Sequence, residues 1–127
     1  MTKEQINQLL APFTSDEVKW RLCHAAEKGG FAVPYLDSRA IQNRLDDVLG
    51  KENWQNNFIA VPTGNSKDPT VNVCVISIYF PERKEWVSKS DGAGASDIEP
   101  VKGGLSDAFK RAASMWGIGR YIYQLSE

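Results

Sequence analysis

The sequence is poor in the residues from which most metal and catalytic sites are built. Its 127 residues include one histidine, His24, and two cysteines, Cys23 and Cys74. Two cysteines and one histidine cannot supply the four ligands of a usual structural zinc site. Both cysteines are therefore expected to be small buried apolar residues, and we predict neither a metal site nor a cofactor.

Motifs typical of nucleotide-using and acyl-transfer enzymes are also missing. The sequence has no G-x-x-x-x-G-K-[ST] phosphate loop and no G-x-S-x-G nucleophile elbow. Asp46 and Asp47 are adjacent on a predicted helix, so their side chains diverge by ~100° and are expected to form a solvated face rather than a metal pair. We therefore predict that the protein is not an enzyme and has no catalytic residues.

Long apolar runs and a strong net charge are absent as well. No run approaches the ~20 apolar residues that cross a bilayer, and the first residues, MTKEQINQLLAPF, do not resemble a signal peptide. We expect a cytoplasmic protein without a membrane partner. The formal net charge of −1 argues against binding polyanions through bulk charge. A local basic groove is still compatible with it, because salt confines electrostatic fields to about 8–10 Å.

What the sequence does contain is the pattern of one α+β domain, which we assign to residues 1–127. A short amphipathic helix is predicted in TKEQINQLLAPF, and two strands in SDEVKWRLCHAA and FAVPYL are joined at Gly29-Gly30. A helix in SRAIQNRLDDVLG ends at Gly50. Strands in WQNNFIAV, VNVCVISIYF and WVSKS follow, then a flexible DGAGASDIEP connection and a final helix from Pro100. This β-β-α then β-β-β-α order predicts a mainly antiparallel sheet.

The final helix, in GGLSDAFKRAASMWGIGRY, separates apolar from basic residues. Its apolar positions recur at helical spacing and are expected to pack in the core, whereas Lys110 and Arg111 point away from them. Two adjacent cations on a helix are usually just solvated. With basic residues elsewhere they would form a track of the kind that holds single strands. Those further cations are Arg39, Arg83, Lys84, Lys89 and Lys102.

Three stretches of the chain resemble the DNA-annealing domain of the Rad52/Rad22 family. They are VPYLDSRAIQNRLDDVLGKENWQNNF, VNVCVISIYFPERKEWVSKSDGAGA and GGLSDAFKRAASMWGIGRYIY, and the most specific feature is Ser-Asp-Ala-Phe-Lys-Arg-Ala-Ala followed by Trp-Gly. The resemblance runs from about Lys19 to Tyr123. The group includes phage annealing proteins and a bacterial DNA-damage-response relative.

The resemblance implies a protein that binds single-stranded DNA and anneals complementary strands in recombination and double-strand break repair without ATP. It also implies a homo-oligomer, as a ring or a helical assembly with DNA in an outer basic groove. Lys110 and Arg111 match the inner phosphate-contacting pair, and Ser114 stands where eukaryotic relatives have a further arginine. The remaining matches are looser: Arg39 lies beside an inner position, and Arg83, Lys84 and Lys102 correspond to outer-groove cations.

Partners and alternatives complete the expectations. Longer relatives carry a C-terminal region that recruits a recombinase, and no such region is visible in this sequence, so a recombinase or a single-strand binding protein is left open as a partner. Double-stranded RNA-binding domains also set a basic helix against an antiparallel sheet. A third interpretation is a protein-interaction module in which the cations only maintain solubility.

Overall fold

The computed structural model describes residues 1–25, 29–64, 66, 70–93 and 100–125. Its described elements, in chain order, are α1 (Lys3–Leu10), β1 (Val18–Ala25), β2 (Gly29–Leu36), α2 (Ser38–Leu49), a 3-10 turn (Lys51–Asn53), β3 (Trp54–Pro62), β4 (Thr70–Phe80), β5 (Glu85–Ala93), α3 (Pro100–Met115) and α4 (Arg120–Leu125). The strands form an antiparallel β1-β2 pair and an antiparallel β3-β4-β5 sheet. This architecture confirms the predicted α+β fold with a short N-terminal helix.

The core lies between α3 and one face of the three-stranded sheet. Alternate residues of β4 point at the helix, and Cys74, Ile76 and Ile78 are fully buried there. On α3, Phe109 is buried as predicted, and the half-buried Trp116 donates a hydrogen bond from Nε1 to the carbonyl oxygen of Ile76 at 3.0 Å. Burial raises the pKa of the Cys74 thiol to about 11. Cys74 is thus the small apolar core residue that the sequence predicted, whereas the side chain of Cys23 lies outside the described part of the chain.

Polar contacts cap both ends of helix α1, and those at its C-terminal end join it to α2. Thr2 and Gln5 form a reciprocal capping box at its start. At its end the guanidinium group of Arg44 donates to the carbonyl oxygens of Gln8 and Ala11 at 2.9 and 2.8 Å and lies 3.9 Å from the centroid of the Phe13 ring. Arg44 of α2 therefore has a structural role at the end of α1.

The end of α3 requires a glycine. Gly117 has φ +89°, and a Cβ atom added there would lie 2.1 Å from Cδ2 of Leu10. A larger residue would be strained by the positive φ and would also clash with α1. The chain turns here into α4, which the sequence analysis did not separate from α3. Arg120 at the start of α4 donates to the carbonyl oxygens of Ser114 and Met115, capping the C-terminal end of α3.

Three further expectations need correction or restriction. Asp46 accepts a hydrogen bond from Nε1 of Trp54 at 2.8 Å, so it is a packing partner rather than part of a solvated face. Strand β5 continues through residues 91–93, where a loop was predicted, because their backbone pairs with β4. The rest of that predicted loop, 94–99, lies outside the described residues. No helix in the described chain is both long and apolar enough to cross a membrane.

Candidate nucleic-acid interface

The β1–β2 hairpin has two chemically different faces. Lys19 lies opposite Tyr35, and Arg21 lies opposite Val33. Because directly opposed residues of an antiparallel pair share a face, these four side chains form a basic and aromatic surface. The intervening Trp20 points to the other face. The alternation of basic and apolar residues that the sequence shows in β1 therefore divides the hairpin in two.

Helix α3 brings a further cation to the basic face of the hairpin. Lys110 follows the buried Phe109, so its side chain leaves the helix at the edge of the core and is half-buried. Its Nζ lies 5.7 Å from the centroid of the Tyr35 ring, and Cζ of Arg21 lies 5.9 Å from the same centroid. Both distances are within cation–π range, about 6 Å. Two cations that are far apart in sequence thus contact the same aromatic ring.

Two carboxylates pair with the outer cations of this region. Asp37 forms an ion pair with Lys19, and Oδ2 of Asp107 accepts from Nε of Arg111 at 3.3 Å. Arg111 is exposed and lies on the solvent side of α3, as predicted. In the part of the chain that the structure describes, neither Arg21 nor Lys110 has an acidic partner in ion-pair contact. These two are therefore the cations best placed to contact an incoming anion.

The pKa of Lys110 is lowered, chiefly because the side chain is partly buried. Burial lowers this pKa below its usual value; the carboxylates of Asp107 and Asp37 oppose the effect, and the positive charge of Arg21 adds to it. A phosphate arriving beside Lys110 would supply the negative charge that favours the ammonium form. The opposite holds for Lys19, whose hydrogen bond with Asp37 raises its pKa.

Arg39 joins the same region from α2. It lies in the first turn of that helix, is exposed, and is close enough to Lys19 for its charge to oppose the rise in the pKa of that lysine. The carboxylate of Asp37 affects the pKa of both Lys19 and Lys110, so these groups lie close together. We call this group the cation cluster and define it as Lys19, Arg21, Arg39, Lys110 and Arg111, of which Arg21 and Lys110 contact the ring of Tyr35.

Beside the cation cluster the surface opens into a small cavity of about 210 Å³. Arg21, Tyr35 and Lys110 lie at its edge, and it has an apolar floor. The buried floor residues are Leu36, Ile41, Ile118 and Ile122. An apolar floor with a basic edge suits a ligand that combines an anionic group with a flat apolar one, as a nucleotide does.

The other predicted site residues lie elsewhere on the molecule. Arg83 and Lys84 are in the turn between β4 and β5, where Nε of Arg83 lies 3.1 Å from Oε1 of Glu85 and its Cζ lies 5.0 Å from the centroid of the Phe80 ring. Phe80 packs on Trp116, about 9 Å along α3 from Lys110. The described contacts do not join this turn to the cation cluster, so an outer-groove role for it stays a prediction.

Lys102 lies in the first turns of α3, eight residues before Lys110. That spacing separates the two positions by about 12 Å along the helix axis. The side chain of Lys102 lies outside the described residues, so its predicted contact with DNA stays a prediction.

The sequence analysis did not name Lys19, Arg21 or Tyr35 as site residues. The available signal was the alternation in β1, which places both cations on one side of the strand. The sequence did not show that this side would face Lys110, because Tyr35 and Arg21 lie 75 and 89 positions before that lysine. Ser114, in place of the relatives' arginine, donates from Oγ to the carbonyl oxygen of Arg111 at 2.6 Å.

An α+β domain with a basic and aromatic surface between a hairpin and a helix defines a nucleic-acid-binding class of protein. The chain belongs to the Rad52/22 family of double-strand break repair proteins, whose family model matches residues 2–127. This match confirms the resemblance seen in the sequence and extends it to nearly the whole chain.

Two relatives carry a more specific description. Each is named single-stranded DNA-binding protein DdrA, one from Deinococcus radiodurans and one from Deinococcus deserti. Each is 31% identical to this chain over 120 residues, which cover 93% of it. The matched region is 54% of the first relative and 56% of the second, so the chain spans about half the length of these relatives.

Proposed function

We propose that this chain binds single-stranded DNA and anneals complementary strands in recombination and double-strand break repair. The observation that carries the proposal is that two cations, Arg21 and Lys110, lie 5.9 and 5.7 Å from the centroid of the Tyr35 ring. Family membership and the name of the two relatives support it. We expect the protein to act in the cytoplasm, where a bacterial or phage protein meets DNA.

The chemistry of the cation cluster suits annealing. Lysine and arginine contact phosphates and gain affinity largely through released counterions, which depends little on base sequence. A tyrosine ring offers a stacking surface that accepts any base. A strand held in this way keeps its base edges available for testing a complementary strand. Neither ATP nor bond chemistry is required, so we infer that the protein acts without catalysis.

One copy of the chain offers few phosphate contacts, so we propose that it works as a homo-oligomer, in a ring or a helical assembly. Linking weak sites along one strand raises the overall affinity far above that of a single site. The formal net charge of −1 leaves little repulsion between copies. A single-strand binding protein or a recombinase would then meet the assembly on the same DNA.

Annealing of two complementary oligonucleotides, without ATP and at low Mg²⁺, tests this function. We expect the protein to accelerate annealing at low salt, and less at higher salt as phosphate contacts weaken. Failure to accelerate annealing at any salt concentration would overturn the annealing proposal. Competition of single-stranded DNA against duplex RNA separates it from the RNA-binding alternative, because only the RNA-binding protein would prefer the duplex.

The residues are tested by the double variant Lys110→Ala/Arg111→Ala. We expect it to bind single-stranded DNA more weakly while keeping its fold and oligomer size. Lys51→Ala is a matched control, because Lys51 is exposed and follows α2, at the end opposite Arg39 and about 18 Å away along the helix. Equal affinities of wild type, control and double variant would remove Lys110 and Arg111 from the site.

A further inference from the structure

The cavity beside the cation cluster has a floor built by separate parts of the chain. Its floor residues come from β2, α2, the turn after α3, and α4; in that order they are Leu36, Ile41, Ile118 and Ile122. All of them are buried, with an exposed fraction of 7% or less. Because each is held in the core by its own element, the floor cannot close through the movement of one side chain. The cavity is therefore preformed.

The turn between α3 and α4 brings bare backbone to the cavity wall. Gly119 lines the cavity with φ +69°, and a Cβ atom added there would lie 2.8 Å from Cδ1 of Leu36. A side chain at this position would be strained by the positive φ and would press on the floor. The shape of the cavity thus depends on a glycine in this turn.

The polar side chains that line the cavity offer two kinds of contact. Arg21 and Lys110 have no acidic partner in ion-pair contact within the described ranges, so they can pair with a phosphate. Asp107 uses Oδ2 on Arg111, and the lone pairs of its carboxylate leave room for a further N–H donor. A carboxylate repels a phosphate and attracts an N–H group. The phosphate of a nucleotide therefore belongs at the two cations, and its base belongs inside the cavity.

The size of the cavity suits one base. Its volume of about 210 Å³ is below the ~300–1,000 Å³ of sites that hold drug-sized ligands. A base is flat, its two faces are stacking surfaces, and each of the DNA bases carries an N–H group on its pairing edge. Proteins that hold an unstacked base use apolar or aromatic side chains against its faces and hydrogen bonds to that edge. Tyr35, the apolar floor and Asp107 supply this combination.

We propose that the cavity takes one unpaired base of the bound strand, with the adjacent phosphate on Arg21 and Lys110. The base lies against the Tyr35 ring and the apolar floor, and Asp107 accepts an N–H group from its pairing edge. The proposal rests on the single-stranded DNA binding proposed above and states which part of a nucleotide each residue contacts. Since every base offers a flat face and an N–H group, the cavity accepts any sequence.

Occupation of the cavity selects single strands over duplexes. A base in a duplex is paired and stacked, so it would have to be unpaired and flipped out before it could enter. A duplex is therefore held by phosphate contacts alone. The base in the cavity leaves it when a complementary strand pairs with that base, whereas the other bases of the strand keep their pairing edges free throughout. The annealed product is thus bound less tightly than the separate strands.

Strands with and without bases test the proposal. An oligothymidine and an abasic strand of the same length carry the same phosphates, and only the first can fill the cavity. We expect the wild-type chain to bind the oligothymidine at least about tenfold more tightly, with a similar dependence of affinity on salt for both strands. Equal affinities for the two strands overturn the proposal.

Val33→Phe fills the cavity without removing a cation. Val33 is half-buried, lines the cavity and lies opposite Arg21 in the hairpin. We expect this variant to bind both strands with the affinity that the wild type has for the abasic strand. Val33→Ala is the matched control, because it leaves the cavity open and should keep the preference for the oligothymidine. A Val33→Phe chain that retains this preference places the base outside the cavity and overturns the proposal.

The fluorescence of 2-aminopurine gives a reading that needs no variant. An oligothymidine with several spaced 2-aminopurines is saturated with the wild-type chain, and entry of this base into an apolar cavity is expected to shift its emission to shorter wavelength. An unshifted emission maximum in the saturated complex overturns the proposal. This measurement decides the case in which Val33→Phe is unfolded by circular dichroism or also binds the abasic strand more weakly.

Annealing is measured with the same preparation of the wild-type chain, so that two failures are told apart. Annealing together with equal affinities for the oligothymidine and the abasic strand overturns the cavity proposal and leaves the proposed function standing. A chain that binds neither strand at any salt concentration overturns both.

Discussion

Strand β1 and the turn between β4 and β5 each carry two lysine or arginine residues, in very different surroundings. In the first, Arg21 shares the ring of Tyr35 with a lysine from α3. In the second, Arg83 pairs with Glu85, within a turn that reads Glu-Arg-Lys-Glu. The positive charge of the hairpin is thus added to that of another element, whereas the charge of the turn is balanced locally.

The difference teaches that a basic residue contributes to polyanion binding through its neighbours more than through its own charge. Cations from separate elements that converge raise the local potential, and a cation beside a carboxylate raises it little. PERKE and VKWRL each contain two cations, and only those of PERKE were predicted from the sequence as site residues. The structure distinguishes them by the contacts of Lys110.

The largest expected effect on single-stranded DNA binding comes from removing the two cations beside Tyr35. Arg21→Ala/Lys110→Ala should weaken single-stranded DNA binding about a hundredfold at low salt, because charge-assisted hydrogen bonds contribute about 1.5–3 kcal/mol each. Two lost phosphate contacts should also lower the slope of log K against log salt by about 1.4. Fluorescence anisotropy with a labelled oligothymidine measures both quantities.

The matched control for that prediction is Arg83→Ala/Lys84→Ala, which removes the same formal charge. Its affinity is expected to fall less than about threefold, since exposed and locally paired cations contribute little. A larger loss from the turn than from the hairpin and helix would reverse the comparison and assign the principal contacts to the turn.

Next in size is the effect of the ring that both cluster cations share. Tyr35→Leu removes the aromatic face and should weaken binding about tenfold, since stacking of a base on an aromatic side chain contributes about 1–3 kcal/mol. Tyr35→Phe keeps the face and is expected to bind within about twofold of wild type. Equal losses in both variants would show that the hydroxyl group, and not the ring, is what the DNA contacts.

The fold followed from the sequence more completely than the site did. Element order and strand identity are local properties, set by alternation, by Gly50 as a helix end and by Pro100 as a helix start, and these agree with the structure. The short helix α4, which follows the turn at Gly117, was missed. Helix-end chemistry depends on tertiary contacts as much as on residue type.

Of the residues that form the cation cluster contacts, the sequence predicted mainly those on α3. Helical periodicity placed Lys110 and Arg111 away from the core; Arg111 is exposed, whereas Lys110 is half-buried beside the hairpin. Periodicity cannot tell a solvated cation from one that faces another element, so Arg21 and Tyr35 were not predicted to lie beside Lys110. The same limit applied to Arg44, whose role depends on the end of α1.

The affinity for single-stranded DNA, measured as a function of pH, tests whether Lys110 contacts the phosphates. Because the pKa of this lysine is lowered, its positive charge is lost at a lower pH than that of an ordinary lysine. Affinity for single-stranded DNA should therefore fall as the pH rises through that lowered pKa. Lys110→Arg stays charged over the same range, so the ratio of variant to wild-type affinity should rise several-fold between neutral and alkaline pH. A ratio that stays constant would exclude Lys110 as a phosphate contact.

The smallest expected effect adds a cation instead of removing one. Ser114 is half-buried and follows Lys110 by one turn, so Ser114→Arg places a guanidinium group next to the cation cluster. One added phosphate contact should raise affinity about threefold at low salt and increase the salt slope by about 0.7. Lys84→Ser/Ser114→Arg keeps the net charge of the wild type, so a gain in this variant comes from the position of the charge alone. If both variants bind like the wild type, the strand does not reach Ser114, and its path along α3 would end at Lys110 and Arg111.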